Sequence, residues 1–167
     1  MSNKVSPRLS DFMEYLSYNP DSGLFTWIKR PSNRVKVGDL AGSYHPKGYL
    51  SISLKNNAVL SHRLAWAMFT GSWPSDEIDH VNGVRDDNRI ANLREATRSQ
   101  NMHNTKRYCV NTSGVKGVSW YKKYGKWMAR LHTDGAVKFL GYFDRIEDAE
   151  RAVMAARIEN HKEFSRM

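Results

Sequence analysis

Glu77-Ile78-Asp79-His80-Val81-Asn82-Gly83 stands ahead of Asn92-Leu93, and Ser99-Gln100-Asn101 follows. Eleven residues separate His80 from Asn92, and eight separate Asn92 from Asn101. A polar loop between a strand and a helix can turn a carboxylate, an imidazole and an amide toward one point. Phosphodiester hydrolysis calls for such a trio: oxygen ligands hold a hard divalent cation against the phosphate, and a base activates water. Histidine suits the second task, because its unperturbed pKa of about 6.5 lies near working pH. Each residue also has a plainer reading. An Asp-His pair can belong to a surface loop, Asn92 before Leu93 can be a turn residue, and Asn101 can be a solvated helix position.

Local patterns outward from this stretch give a mixed chain. His62-Arg63-Leu64-Ala65-Trp66-Ala67-Met68-Phe69 reads as a helix ended by Gly71. Tyr49-Leu50-Ser51-Ile52-Ser53-Leu54 alternates with period two, and Asn56-Asn57 turns it back into Val59-Leu60 as a hairpin. Residues 74–93 read as a polar loop region broken by Ile78, Val81, Val84 and Ile90. A helix is expected near Thr97, whose hydroxyl can cap together with Gln100. Upstream, residues 9–19 carry Leu9, Phe12, Met13 and Leu16 at helical spacing, with Ser10 as cap. Asn19-Pro20-Asp21-Ser22-Gly23 is a turn, Leu24-Phe25-Thr26-Trp27 a strand, and residues 29–47 an irregular loop.

Residues 60–104 resemble an HNH (ββα-metal) nuclease motif of the kind found in phage and intron homing endonucleases. The motif residues above carry the resemblance, with Ser61-His62-Arg63-Leu64-Ala65-Trp66-Ala67 and Asp86-Asp87-Asn88-Arg89-Ile90-Ala91-Asn92-Leu93 beside them. It implies that His80 is the general base and that Asn92 fixes the loop bearing it. It implies Asp79 and Asn101 as metal ligands, with His103 the competitor for the second place. Two residues apart on a regular helix, Asn101 and His103 cannot face one ion equally. Oxygen ligands point to magnesium, with manganese as substitute. Some members of the family are stabilised by zinc. Cys109 is the only cysteine, so a structural zinc held by four cysteines is excluded, and Leu64, Trp66, Phe69 and Leu93 are expected to hold the core. His62 and Arg63 can contact phosphate or only cap and solvate a helix. Arg85, Arg89, Arg94 and Arg98 can follow a DNA backbone, though some are simply solvated.

Residues 105–113 lack apolar periodicity and read as a linker between a nuclease domain at 1–104 and a second domain at 114–167. Gly117–Tyr121, Lys126–His132 and Val137–Phe143 read as three strands, with turns at Tyr124-Gly125 and Thr133-Asp134-Gly135. A helix begins at Asp144, with Glu147 completing a cap and Ile146, Ala149, Ala152, Val153 and Ala156 as its apolar stripe. Residues 114–167 resemble the plant ethylene-response-factor (Apetala-two type) DNA-binding domain. The resemblance rests on Val115-Lys116-Gly117-Val118-Ser119-Trp120, Gly125-Lys126-Trp127-Met128-Ala129-Arg130-Leu131 and Phe139-Leu140-Gly141-Tyr142-Phe143-Asp144. It implies a three-stranded antiparallel sheet laid in the major groove and backed by a helix. Lys116, Ser119, Tyr121, Tyr124, Arg130, His132 and Val137 stand where the plant family uses Arg, Trp or Glu, so its target sequence does not transfer. Lys116, Trp120, Lys122, Lys123, Lys126, Arg130 and Lys138 are the expected DNA contacts here, with Arg63 and Arg85 in the first domain. Lys122, Lys123, Lys126 and Lys138 are expected to contact phosphate, which positions the duplex without specifying its sequence. Trp127 and Phe139 can serve sheet packing alone.

The 167-residue chain has 26 Lys+Arg against 17 Asp+Glu, a formal charge of +9, which points to a polyanion. Within 111–143 there are six basic residues and one acidic, and within 144–167 five and six, so a basic front lies on a nearly neutral support. No apolar run approaches the roughly 20 residues that span a bilayer. Met1–Arg8 lacks the apolar stretch of a signal peptide. The expected fold is α+β: a ββα-metal module followed by three antiparallel strands packed on one helix. The expected function is a metal-dependent, site-specific endonuclease of homing type acting on double-stranded DNA in the bacterial cytoplasm. One HNH site cuts one strand at a time and no dimerisation helix is evident, so a monomer that nicks is expected. The alternative is a non-catalytic, sequence-specific DNA-binding regulator carrying a decayed nuclease.

Overall fold

Phe12 and Leu16, four residues apart, reach one core from two kinds of backbone. Helix α1 (Leu9–Tyr15) ends at Tyr15, and Leu16–Tyr18 forms strand β1, antiparallel to β2 (Phe25–Trp27). The helix expected over 9–19 is therefore shorter. Pairing with β2 satisfies the backbone of Leu16–Tyr18 while Leu16, Phe25 and Trp27 are buried. Arg8 is the N-cap and makes no side-chain cap bond, so Ser10 lies inside the helix rather than at its end.

The computed structural model describes residues 7–103, 113–133 and 136–161, with the Met102, His103 and His161 backbones but not their side chains. Residues 105–112 of the expected linker, Cys109, Met1–Ser6 and the Asp134-Gly135 turn lie outside the described residues. The chain forms two compact units, Met1–Ala96 and Thr97–Met167, and its architecture is α+β.

The first unit continues with a three-stranded antiparallel sheet of β3 (Ser43–Tyr44), β4 (Leu50–Leu54) and β5 (Asn57–Leu60). Helix α2 (Ser61–Thr70) follows and stops at Gly71, which takes the left-handed conformation at φ 83°. The stretch read as a polar loop contains a hairpin. Strand β6 (Glu77–His80) pairs antiparallel with β7 (Leu93–Ala96), and a 3-10 turn over Ile90–Asn92 leads into β7. The core is Phe12, Leu16, Phe25, Trp27, Ile52, Leu54, Leu64, Ala65, Ile78 and Leu93. Six of these ten precede residue 60, so the segment that matched no motif supplies most of the apolar interior. Phe69, expected in the core, is 58% exposed, because it sits on the outer side of α2. Trp66 is half-buried against the core.

The second unit opens with α3 (Arg98–His103). Thr97 and Gln100 cap it reciprocally, through Thr97 N–H to Gln100 Oε1 at 2.8 Å and Gln100 N–H to Thr97 Oγ1 at 3.3 Å. Strands β8 (Val118–Tyr121), β9 (Lys126–Thr133) and β10 (Ala136–Phe143) form an antiparallel sheet with β9 at its centre. Helix α4 (Ile146–His161) packs on one face of it, around Val118, Ala129, Ala149 and Val153. It starts two residues beyond Asp144, whose carboxylate pairs with Lys126 Nζ at 3.2 Å. Among the described residues no helix is long and apolar enough to cross a membrane.

Candidate active site

Strand β6 buries the two residues that matter most. Its exposure falls along Glu77-Ile78-Asp79-His80, leaving Asp79 4% and His80 5% exposed. Opposite them in the hairpin stand Arg94 and Leu93. Register thus brings the Arg94 guanidinium to the Asp79 carboxylate, with Nε and one terminal nitrogen both on Oδ2, at 3.0 and 2.8 Å. The guanidinium gives the buried carboxylate a charge-assisted partner.

The loop from Val81 to Ala91 is held from several sides. Asn92 is 7% exposed and spans the loop's base. Its Oδ1 accepts the Asn82 N–H at 3.0 Å, its Nδ2 donates to the Asp87 carbonyl at 2.8 Å, and its carbonyl accepts the Val81 N–H at 2.9 Å. Asp87 accepts Arg89 Nε at 2.8 Å and Asn82 Nδ2 at 2.7 Å. The Arg89 bonds, then those from Asn82, pull the Asp87 pKa down to about 2. Chain far upstream supports the same loop. Tyr18 OH donates to the Asn88 carbonyl at 2.8 Å, and the Ile90 N–H donates to the Pro20 carbonyl at 3.0 Å. A Cβ on Gly23 would lie 2.5 Å from the Arg89 nitrogen and 2.6 Å from the Asn88 carbonyl carbon, so only glycine allows this approach.

His80 faces polar and aromatic neighbours. Its Nε2 lies 3.3 Å from Asn88 Oδ1. This contact ties the imidazole to the loop that follows it. The His62 ring meets it edge-on with centroids 5.0 Å apart, and Tyr49 lies at 6.0 Å. Burial lowers the His80 pKa, against the opposing pull of Asn88 and of Asp79, Asp87 and Asp86. Burial, followed by the charges of His80 and Arg63, takes His62 down to about 3. Both imidazoles are therefore neutral near pH 7, the form in which a histidine can take up a proton. Among the described residues, Ser61 Oγ, His62 Nδ1 and Asn88 Nδ2 are buried without a hydrogen-bond partner. Two of these atoms belong to the neighbours of His80.

The remaining candidates are spread over both units. Arg63 donates to the Asp76 carbonyl at 2.7 Å and the Pro74 carbonyl at 3.0 Å, bracing the approach to β6. Arg85 donates to the Lys47 carbonyl at 2.7 Å and lies 5.0 Å from the Tyr49 ring centroid. Asn101 is half-buried on α3 in the second unit, and its N–H bonds the Thr97 carbonyl. The His103 side chain lies outside the described residues. In the second unit, Lys122, Lys123, Arg130 and Lys138 are exposed, and Lys126 pairs with Asp144. The Lys116 carbonyl accepts a bond from Arg157 at 2.5 Å. Trp120 is half-exposed and packs edge-on against Trp127 at 5.1 Å. Register puts Trp120 opposite Trp127 and Lys138 opposite Leu131, on the side of the sheet that faces α4, while Arg130 lies on the other. Sequence reasoning passed over Asn88 and Tyr49 as neighbours of His80, and over Arg94 as the partner of Asp79. The hairpin register would have found Arg94, had residues 77–80 been paired with 93–96.

Residues 59–103 match the HNH endonuclease family, so an HNH endonuclease domain lies in this part of the chain. Over 140 residues the chain is 31% identical to Protein 3.8 of Escherichia phage T7, a match covering 84% of this chain and 93% of that protein, and it belongs to the same family. No solved structure matches it.

Proposed function

We propose that this protein is a metal-dependent, site-specific DNA endonuclease of homing type, which nicks one strand per encounter as a monomer in the cytoplasm of a phage-infected bacterium. The observation that carries the reading is the buried Asp79-His80 pair beside a loop held at its base by Asn92. His80 acts as general base. A neutral imidazole keeps one ring nitrogen able to take the proton of the attacking water. Asn92 keeps the loop, and with it the imidazole, in place. The family resemblance implies Asp79 and Asn101 as the oxygen donors that would hold a hard divalent cation, magnesium or manganese, and the ion would stabilise charge on the phosphate. Among the described residues no three His, Cys, Asp or Glu side chains gather as a ligand cluster. The partnerless polar atoms around His80 favour a site that takes in water and a phosphate rather than a sealed core. Lys116, Trp120, Lys122, Lys123, Lys126, Arg130 and Lys138 bring DNA to the second unit, with Arg63 and Arg85 secondary.

The test is plasmid nicking with and without magnesium by the wild type and His80→Ala. Turnover should fall by about 10² or more in the variant, the usual scale for a general base. DNA binding in calcium should stay within twofold of wild type. Wild-type cleavage by purified His80→Ala would remove the assignment. Binding without any metal-dependent cleavage by the wild type would favour a DNA-binding regulator instead.

A further inference from the structure

The second unit's sheet has two unlike faces. Cross-strand partners share a face, so Ser119 and Met128, Tyr121 and Lys126, Met128 and Tyr142, Arg130 and Phe139, and His132 and Val137 all lie on the face away from α4. Aromatic rings dominate it. Tyr124, in the β8–β9 turn, lies 5.2 Å from Tyr121 and 4.9 Å from Tyr142 between centroids. Tyr142 in turn lies 5.0 Å from Phe139. Tyr121 also lies 5.3 Å from Tyr142, so the three tyrosines form a cluster that Phe139 extends into a row. Tyr124 and Phe139 are its most open rings, 52% and 53% exposed.

The charge around this row is mainly positive, the exception being Asp144, which pairs with Lys126 at 3.2 Å. Lys123 Nζ lies 5.6 Å from the Tyr124 ring centroid, and Arg130 stands opposite Phe139. The acidic residues described in this unit are Asp144, which follows β10, and Glu147, Asp148, Glu150 and Glu159 on α4, which packs on the other face. A polyanion is therefore the complementary partner.

The form of that polyanion follows from the rings. Bases inside a duplex are already stacked and offer only their edges, which are read by guanidinium, amide and carboxylate groups. Among the described residues of this face, Arg130 has the one planar fork suited to a base edge, with Ser119 and the Asp144-paired Lys126 as lesser donors. An aromatic ring gains most from a base whose face is open, and every base has one. We propose that the Tyr121–Tyr124–Tyr142–Phe139 row binds DNA through unpaired bases, in a single strand or at a gap in a duplex, with Lys123 and Arg130 holding the adjoining phosphates. This rests on the reading of the second unit as the DNA-holding part and makes its substrate more specific.

The test measures binding of the full chain, in EDTA so that nothing is cut. The probes are a 20-nucleotide single strand, its duplex, the duplex with a central gap, and an RNA strand of the same sequence. The single-strand and gapped DNA should bind more tightly than the duplex. Phe139→Ala and Tyr124→Ala should each weaken those two by between about 5- and 150-fold, the range for losing one stacked base, and change duplex binding less than about twofold. Tyr124→Phe, which keeps the ring, should bind as wild type and guards against a misfolded alanine variant. Duplex bound as tightly as the gapped probe, or ring variants that weaken all DNA probes equally, would overturn the proposal and leave the second unit a duplex reader. Ring-dependent preference for the RNA strand would overturn it in favour of a different partner. If neither the ring variants nor Arg130→Ala alters binding to any probe, this face does not hold DNA and the proposal fails, whereas the reading beneath it fails only if Lys122→Ala with Lys123→Ala and Lys138→Ala also leave DNA binding unchanged.

Discussion

Replacing Gly23 by alanine tests whether the N-terminal turn supports the nuclease loop. Two costs add at this position. Gly23 has φ +73°, where a side chain costs about 1–2 kcal/mol. The added Cβ would also come within 2.5 Å of the Arg89 nitrogen and 2.6 Å of the Asn88 carbonyl carbon, both backbone atoms that no rotamer change can move aside. Such overpacking costs about 1–3 kcal/mol more, so the total is about 2–5 kcal/mol. Gly71→Ala is the control. Its φ is 83° and nothing lies within 4 Å of the added carbon, so only the conformational cost of about 1–2 kcal/mol applies. Urea unfolding followed by circular dichroism should show Gly23→Ala less stable than Gly71→Ala by about 1–3 kcal/mol, a large share of the roughly 5–15 kcal/mol typical of a domain. Displacing Asn88 also disturbs His80, so DNA cleavage should fall by up to about 10² under conditions where the variant remains folded. Equal stability of the two variants, within about 0.5 kcal/mol, would show that the turn does not bear on the loop.

Asp79→Ala and Asn101→Ala should each impair magnesium-dependent nicking, whereas His103→Ala should leave most of it. Loss of nicking with His103→Ala alone would make His103 the ligand. His62 is buried neutral with a pKa near 3, against about 6.5 when unfolded. Below pH 6.5 the unfolded chain therefore binds the extra proton, and stability contributed by the neutral ring is lost as pH falls from about 6.5 toward 3. His62→Gln should flatten the stability–pH curve between pH 7 and 5, above the range where Asp87 titrates, and an unchanged slope there would count against the burial argument. Lys122→Ala combined with Lys123→Ala should make the log–log salt dependence of DNA binding shallower by up to about 1.8, at about 0.9 for each phosphate contact, and an unchanged slope would show that these lysines stand clear of the backbone.

What the sequence made legible was local. Helix α2 and its stop at Gly71, the β4–β5 hairpin, the Thr97–Gln100 cap and the three strands with the helix after them each rest on residues a few positions apart. The β6–β7 hairpin escaped because its strands are four residues each with twelve residues between them, too short for alternation to show and too far apart for a turn signal. Leu16 was read as the end of a helix because Phe12 and Leu16 have helical spacing, and pairing with Trp27 overrode that pattern. The Asp79-His80 pair was visible as chemistry, yet Arg94 beside Asp79 depends on strand register, and Asn88 and Tyr49 beside His80 depend on tertiary packing. Arg63 shows the converse. Its charge suggested phosphate, and its guanidinium instead meets two backbone carbonyls that no local pattern announces.

The Tyr18–Asn88 bond joins residues 70 positions apart, and this has a consequence for how the protein is made. During synthesis the segment bearing Phe12, Leu16, Phe25 and Trp27 emerges well before Leu64, Ile78 and Leu93, the residues it packs against. Until then it is a short apolar stretch without a closed interior. Closing so long a loop is an entropic barrier that local structure cannot lower. The last turn of that core and the loop beside His80 fall into place together, because Ile90 and Asn88 are bonded to the same upstream hairpin that carries Phe25. Closure of this core and placement of the loop beside His80 are thereby one event: a nascent chain released before Leu93 has neither a finished interior nor a positioned imidazole.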